Sequence, residues 1–192
     1  MCNTFLIANR PGLANTSDAI VTSEALDNLG NRYLFFVMSI RPYSPATDLN
    51  ALSHLYQESI LTLGQSFYTP EQLDVWATLG SDRSRLSKNL SLGTTLVSEV
   101  DGQLAAFGQL HPIDHIAYLY AHPNYAGKGH ARAVLLALES HALAANQHLV
   151  HTEASKVARP FFERQGYRVI APEEVERGGL TFLRYKMEKR LT

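Results

Sequence analysis

The apolar positions of this chain change period along its length. Over 46–63, Leu49, Leu52, Leu55, Tyr56, Ile60 and Leu63 recur at helical spacing. That predicts a helix with one buried stripe, stopped at Gly64. Thr69-Pro70-Glu71-Gln72 predicts a second helix. Thr69 is a good N-cap, Pro70 suits the first helical position, and Gln72 completes a capping box. Leu73, Trp76 and Leu79 follow on one face, and Gly80 is the expected end. Residues 81–92 are polar and carry no periodic signal we read as an element.

Strands are expected at 40–43, 94–100, 104–110 and 116–120, with Asp101-Gly102 as a two-residue hairpin turn. A glycine-bearing turn at 126–131 leads into an amphipathic helix with Val134, Leu135, Leu138, Ala142 and Ala145 inside. A strand at 149–153, a helix at 157–165 stopped by Gly166, and strands at 167–170 and 181–187 complete the series. The order is strand, two helices, three antiparallel strands, helix, strand, helix, two strands. That is one mixed α/β (α+β) domain. The meander in the middle rules out an alternating doubly wound fold.

Residues 1–37 differ from the rest. Asn9-Arg10-Pro11-Gly12 and Asn15-Thr16-Ser17-Asp18 are turn or coil chemistry, and the apolar pieces between them are short. The expectation is an N-terminal extension over 1–37, poorly ordered or not native, ahead of a domain spanning 38–192. Met38 would be the first residue of the fold.

Composition narrows the function classes. Seventeen Lys and Arg face eighteen Asp and Glu, for a net charge of −1. That balance disfavours binding of nucleic acid or membrane surface through bulk positive charge. The only cysteine is Cys2, which excludes a disulfide framework or a cysteine-ligated metal within one chain. No His-Glu-x-x-His pattern occurs, so no metal is expected. No apolar run reaches the ~20 residues of a membrane span, and the expected compartment is the cytoplasm.

The chemistry concentrates in the turn from Leu119 to Arg132. Two glycines, Gly127 and Gly129, join a strand to a helix start, with Lys128 and Arg132 adding positive charge. Such a turn is an anion cradle. A dinucleotide fingerprint fails because Arg132 stands where a third small residue belongs, and a P-loop fails because Gly129 follows Lys128.

This segment, Ala126-Gly127-Lys128-Gly129-His130-Ala131, resembles motif A of the GNAT superfamily of N-acetyltransferases. Ala126 replaces the usual Gln or Arg. A second block, from Glu153 to Tyr167, resembles that family's motif B. The order and spacing of the two blocks match, and the resemblance covers about 38–190. The Tyr68-Thr69-Pro70-Glu71-Gln72-Leu73 segment and the Arg177-Gly178-Gly179 ending look most like the YafP-like branch.

The resemblance implies a mostly antiparallel mixed sheet splayed between two parallel strands and flanked by about four helices. It implies acetyl-CoA as co-substrate. Leu119, Tyr120 and Ala121 would border its pantetheine arm, residues Gly127, Lys128, Gly129, His130, Ala131 and Arg132 its pyrophosphate, and Ser155 a further CoA contact. Many members use a tyrosine in motif B as the acid toward the leaving thiolate, and the matching residue here is Phe162. Tyr118, Tyr120 and Tyr185 are alternative acids. Glu153 is the first candidate base and His151 the second, since the two share a strand face. Tyr68 and Trp76 are candidates for the acceptor pocket, against the competing reading of plain core. The expected acceptor is a small-molecule amine. A protein or peptide acceptor, and a CoA-binding regulator without turnover, stay open, as does a homodimer.

Overall fold

The computed structural model describes residues 38–192 and, before them, only the two-residue strands Ala19–Ile20, Ala25–Leu26 and Arg32–Tyr33. The rest of the expected 1–37 extension lies outside the described residues.

The domain begins with β1 (Ser39–Pro42), followed by α1 (Pro45–Leu63), α2 (Pro70–Ser81) and α3 (Arg83–Leu90). Strands β2 (Thr94–Val100), β3 (Gln103–Leu110) and β4 (Ile116–Ala121) form the meander. Helix α4 (His130–Ala144), β5 (Leu149–Ser155), α5 (Arg159–Arg164), β6 (Arg168–Arg177) and β7 (Leu180–Arg190) complete it. The mixed fold and the element order are as expected, with one addition.

The addition is α3, which makes five α-helices among the described residues where about four were expected. Helix α2 does not end at Gly80. It runs to Ser81, and Asp82 then both ends α2 and caps α3 by accepting from the Arg85 N–H at 2.9 Å. Leu86 and Leu90, one turn apart, are the buried side of α3. The capping box of α2 is present as read: the Gln72 N–H donates to Thr69 Oγ1 and the Thr69 N–H to Gln72 Oε1. At Asp101-Gly102 both residues take positive φ, as a tight hairpin requires.

The seven labelled strands make two sheets, and Ala25–Leu26 pairs with Arg32–Tyr33 as a separate two-stranded one. Strands β1 to β4 are antiparallel in chain order, with Ala19–Ile20 on the outer edge of β1. The second sheet has the order β5-β7-β6, also antiparallel. The sheets meet where β4 and β5 run parallel, at a single bridge between His115 and His151.

Two apolar cores lie on opposite faces. Val134, Leu135, Leu138 and Ala142 of α4 pack with Ala106, Leu110, Val150, Phe162 and Met187 on one face. Leu52, Leu55, Tyr56 and Ile60 of α1 pack with Leu86, Leu90, Val97 and Phe107 on the other. Gly108 lets α4 lie close to the sheet. A Cβ there would stand 2.9 Å from Val134 Cγ1 and 3.0 Å from Leu138 Cδ1.

The start of α1 is fixed by charge. Asp48 is buried, takes both ends of the Arg41 guanidinium at 2.6 and 3.0 Å, and accepts from the Ser44 N–H at 2.8 Å. Arg41 also donates to Glu99 on β2 at 2.8 Å. Burial pushes the Asp48 carboxyl up, but hydrogen bonds from Arg41, Ser44 and Thr47 outweigh it and hold it below its usual range. The carboxylate therefore stabilises the fold above the unfolded-chain value of ~3.9, and that contribution disappears as pH falls through the lower folded value. Urea unfolding of the Asp48→Ala variant at pH 7 should show a loss of about 3 kcal/mol. The decline in stability below about pH 4 should be shallower in the variant than in the parent.

Candidate active site

Past the His115–His151 bridge, β4 and β5 diverge. The last ties between them are the His151 N–H on the Asp114 carbonyl at 2.9 Å and Thr152 Oγ1 on the Ile116 carbonyl at 2.9 Å. A bulge at Ala117, where β4 slips one residue against β3, turns the strand away. The result is a V-shaped cleft of about 730 Å³. Tyr118, Leu119, Tyr120 and Ala121 line one wall, and Thr152, Glu153, Ala154 and Ser155 the other.

At the mouth of this V stands the glycine turn. Gly127 and Gly129 have φ of 75° and 95°, and a Cβ on either would meet only open space. The N–H groups of Gly127, Gly129, His130, Ala131 and Arg132 have no main-chain acceptor among the described residues. They are the unpaired donors of a turn and of a first helical turn, at the positive end of the α4 dipole. The cradle thus has the shape and polarity for a pyrophosphate.

The turn is tied down from several directions. His122 Nε2 meets Glu58 Oε2 of α1 at 2.9 Å, and Tyr125 donates to Gln103 Oε1 of β3 at 3.0 Å. The His130 ring is buried, with Nδ1 2.8 Å from Ser98 Oγ of β2. Burial, aided by the Lys128 charge, lowers the His130 pKa and favours the neutral ring. His130 is therefore a peg beneath the cradle, and only its backbone can face a ligand. Lys128 reaches over the Tyr125 ring, 5.6 Å from its centroid, and does not line the cleft. Arg132 is exposed and does line it.

The other half of the cleft is aromatic. Tyr56, Tyr68, Trp76, Tyr118, Tyr120 and Phe182 line it. Tyr56 and Tyr120 stand 4.7 Å apart between ring centroids, and Trp76 meets Tyr68 edge-on at 5.3 Å. Tyr68 and Trp76 belong both to this lining and to the α1 core. The Tyr68 hydroxyl accepts from the Lys156 N–H at 3.0 Å, so α2 is joined to the end of β5. Burial pushes the Tyr120 phenol up to about 12, against hydrogen bonds from Tyr56 and Trp76, and raises Tyr56 well above its ordinary value.

Glu153 lies within β5, which runs on to Ser155, rather than at its end. Its Oε2 meets His115 Nε2 at 2.9 Å. His115 Nδ1 faces the His111 carbonyl at 3.1 Å, so both ring nitrogens face oxygen acceptors. The His151 ring stacks on His115 at 4.6 Å and lies 3.9 Å from the Asp114 carboxylate. His115 and Glu153 line the cleft, while His151 stands behind His115. Ser155 Oγ accepts from the Ala158 N–H at 3.1 Å at the cleft wall. Tyr185 is turned to the other face, with the Arg159 guanidinium 4.5 Å over its ring.

Three contributors were not read from the sequence. His115 carries no local signal for its contact with Glu153, which lies 38 residues away in the chain. Asn89 of α3 donates to the Tyr118 hydroxyl at 3.3 Å, and its helix was missed altogether. Val175, Arg177 and Phe182 bring the β6–β7 hairpin into the cleft lining. The Asp82 cap and the Leu86–Leu90 spacing were the available signals for α3.

A family model described as an acetyltransferase (GNAT) domain matches residues 65–189. The chain belongs to the GNAT acetyltransferase family. It is 28% identical over 151 residues to an uncharacterized N-acetyltransferase, YafP, of Escherichia coli, covering 78% of this chain and 94% of that one. A GCN5-related N-acetyltransferase from Rhodopseudomonas palustris superposes with a TM-score of 0.77 at 31% identity, covering 79% of this chain and 94% of its own. PaiA N-acetyltransferase of Thermoplasma acidophilum, solved with coenzyme A, shares the fold. Its TM-score is 0.65 at 20% identity, with coverage of 80% of this chain and 99% of its own.

Within this GNAT chain, the α5 helix offers no phenol at the position where the resemblance implied one. Phe162 is buried there, edge-on to Phe161 and Tyr167. The tyrosines near the splay lie on β4 and α1 instead. Absorbance titration of the folded chain should find Tyr120 still largely protonated at pH 11. Tyr120→Phe should remove one of the phenols that ionise only above that pH.

Proposed function

We propose that this GNAT chain transfers an acetyl group from acetyl-CoA directly to the amine of a small, apolar or aromatic molecule. The observation that carries the reading is the joining of the open glycine cradle and the aromatic half in one continuous cleft, with Glu153 between them. The main-chain donors of 127–132 would hold the pyrophosphate, and the edges of Leu119 and Ala121 the pantetheine arm. Bound acetyl-CoA supplies an activated acetyl thioester, and the remaining chemistry falls to side chains. A cytoplasmic setting, expected from the composition, stays part of this proposal.

The acceptor must lose a proton before its nitrogen can attack. Glu153 is the carboxylate in the cleft, and we assign it as the base, directly or through water. His115 is a positioning residue: its bond to Oε2 fixes the carboxylate, and the stacked His151 ring backs it. Tyr118 is the proposed acid. Asn89 donates to its oxygen, which leaves the Tyr118 O–H free to donate to another partner. Holding amine and thioester together supplies much of the remaining rate.

The aromatic wall favours a small acceptor over a peptide. Helices α1 and α2 and the β6–β7 hairpin enclose it on three sides, whereas a peptide substrate needs an open groove.

Calorimetry should find acetyl-CoA binding at or below ~100 μM, weakened at least tenfold by Gly129→Glu. Release of free thiol from acetyl-CoA with a panel of amines separates an enzyme from a regulator without turnover. Absence of release with every amine, with acetyl-CoA bound, would leave only the regulator. Glu153→Gln should lower kcat about a hundredfold at pH 7. The deficit should shrink as pH approaches the pKa of the amine, where deprotonation needs no help. His115→Ala should lower kcat with the KM for acetyl-CoA unchanged, and His115→Gln, which keeps a donor, should recover part of the loss.

A further inference from the structure

The acceptor half of the cleft contains one charged group that the reaction does not use. Arg177 ends β6 at the hairpin and lines the cleft beside the aromatic side chains. The other arginines on the cleft are accounted for. Arg184 is bound to Glu173 at 2.6 Å, and Arg132 and Arg164 lie with the cradle and α5. Arg177 makes no ion pair and no side-chain hydrogen bond among the described residues. Among the described residues Glu153 is the only acidic one lining the cleft, and it is held by His115 at 2.9 Å with Arg184 4.0 Å away.

The hairpin backbone that carries the arginine is held in place. Gln72 Nε2 of the α2 capping box donates to the Thr181 carbonyl at 2.7 Å, and Gly178 packs on Val75. The hairpin carrying Arg177 is thus fixed to α2, on the side where Trp76 enters the cleft. By strand alternation, Arg177 shares the face of Val175, which packs in the acceptor-side core, while Glu174 and Glu176 take the opposite face. The Arg177 charge is close enough to act on the hydroxyls of Tyr56, Tyr68 and Tyr120.

An exposed guanidinium without a partner among the described residues, lining the same cleft as an aromatic wall, can receive a planar anion. We propose that Arg177 recognises a carboxylate on the acceptor, so that the substrate class is an aromatic amine bearing a carboxylate group. The carboxylate would dock on Arg177, the ring among Tyr56, Tyr68, Trp76 and Phe182, and the amine toward Glu153. The assignment rests on the acetyl-transfer reading above for the direction of the amine. Its test does not depend on turnover.

Trp76 is the only tryptophan of the chain and stands in this wall, so its fluorescence reports occupancy directly. The probes are two carboxylate–carboxamide pairs: L-phenylalanine against L-phenylalaninamide, and 4-(aminomethyl)benzoate against 4-(aminomethyl)benzamide. Titrated into the full chain with CoA present, at least one carboxylate should bind tenfold or more tightly than its amide. Arg177→Gln should bring that ratio near one, and Arg177→Lys should keep part of it. Melting temperatures of both variants check that the fold persists. Equal affinities within both pairs, no response to either carboxylate, or a preference that survives in Arg177→Gln would overturn the proposal. The same pairs in the thiol-release assay keep the two readings apart. Turnover without carboxylate preference sinks the role of Arg177 alone. Carboxylate-selective binding without turnover sinks the acetyl-transfer reading and leaves the anion site standing.

Discussion

The structure depends on two parallel strands that touch once and then part. Beyond the His115–His151 bridge, β4 keeps β3 on one side and β5 keeps β7 on the other, while their facing edges share no ladder. Main-chain groups left without partners must find water or a ligand. An extended ligand with amides of its own can pair with such an edge as a further strand would. The wedge is thus a consequence of backbone geometry, and the side chains around it decide only what fills each half.

Everything nearby serves to keep the wedge open and aimed. The close approach at Gly108 brings α4 onto the sheet, and the His130–Ser98 bond fixes its first turn beneath the glycines. On the opposite face, the Asp48–Arg41–Glu99 network binds the start of α1 to β1 and β2. Glu58 then reaches His122 at the turn. A rigid frame around an unpaired edge is a preorganised site, and it spares a ligand part of the ordering cost of binding.

What the sequence revealed was whatever is local. The capping box, the Asp101-Gly102 turn and the glycine turn act within a few residues, and each could be read directly. The α3 helix was obscured because its eight residues are largely polar, with only Leu86 and Leu90 buried. Pairings across the fold were beyond reach. His115 and Glu153 are 38 residues apart and become neighbours only because β4 and β5 lie parallel. Gln109 looks like an error in a buried strand. It is satisfied only in three dimensions, by the Asn89 and Leu92 carbonyls at 2.8 and 2.6 Å. Arg177 likewise reads as a turn residue until Gln72 is seen holding its hairpin.

The division of the apolar interior into two cores also bears on how such a protein can diverge. The cradle and α4 rest on one core, whereas Tyr68, Phe182 and the other aromatic walls rest on the second, with the sheet between. Substitutions in separate clusters combine nearly additively. The aromatic half of the cleft can therefore be repacked while the glycine turn keeps its geometry. Inheritance of the one and invention in the other become independent events.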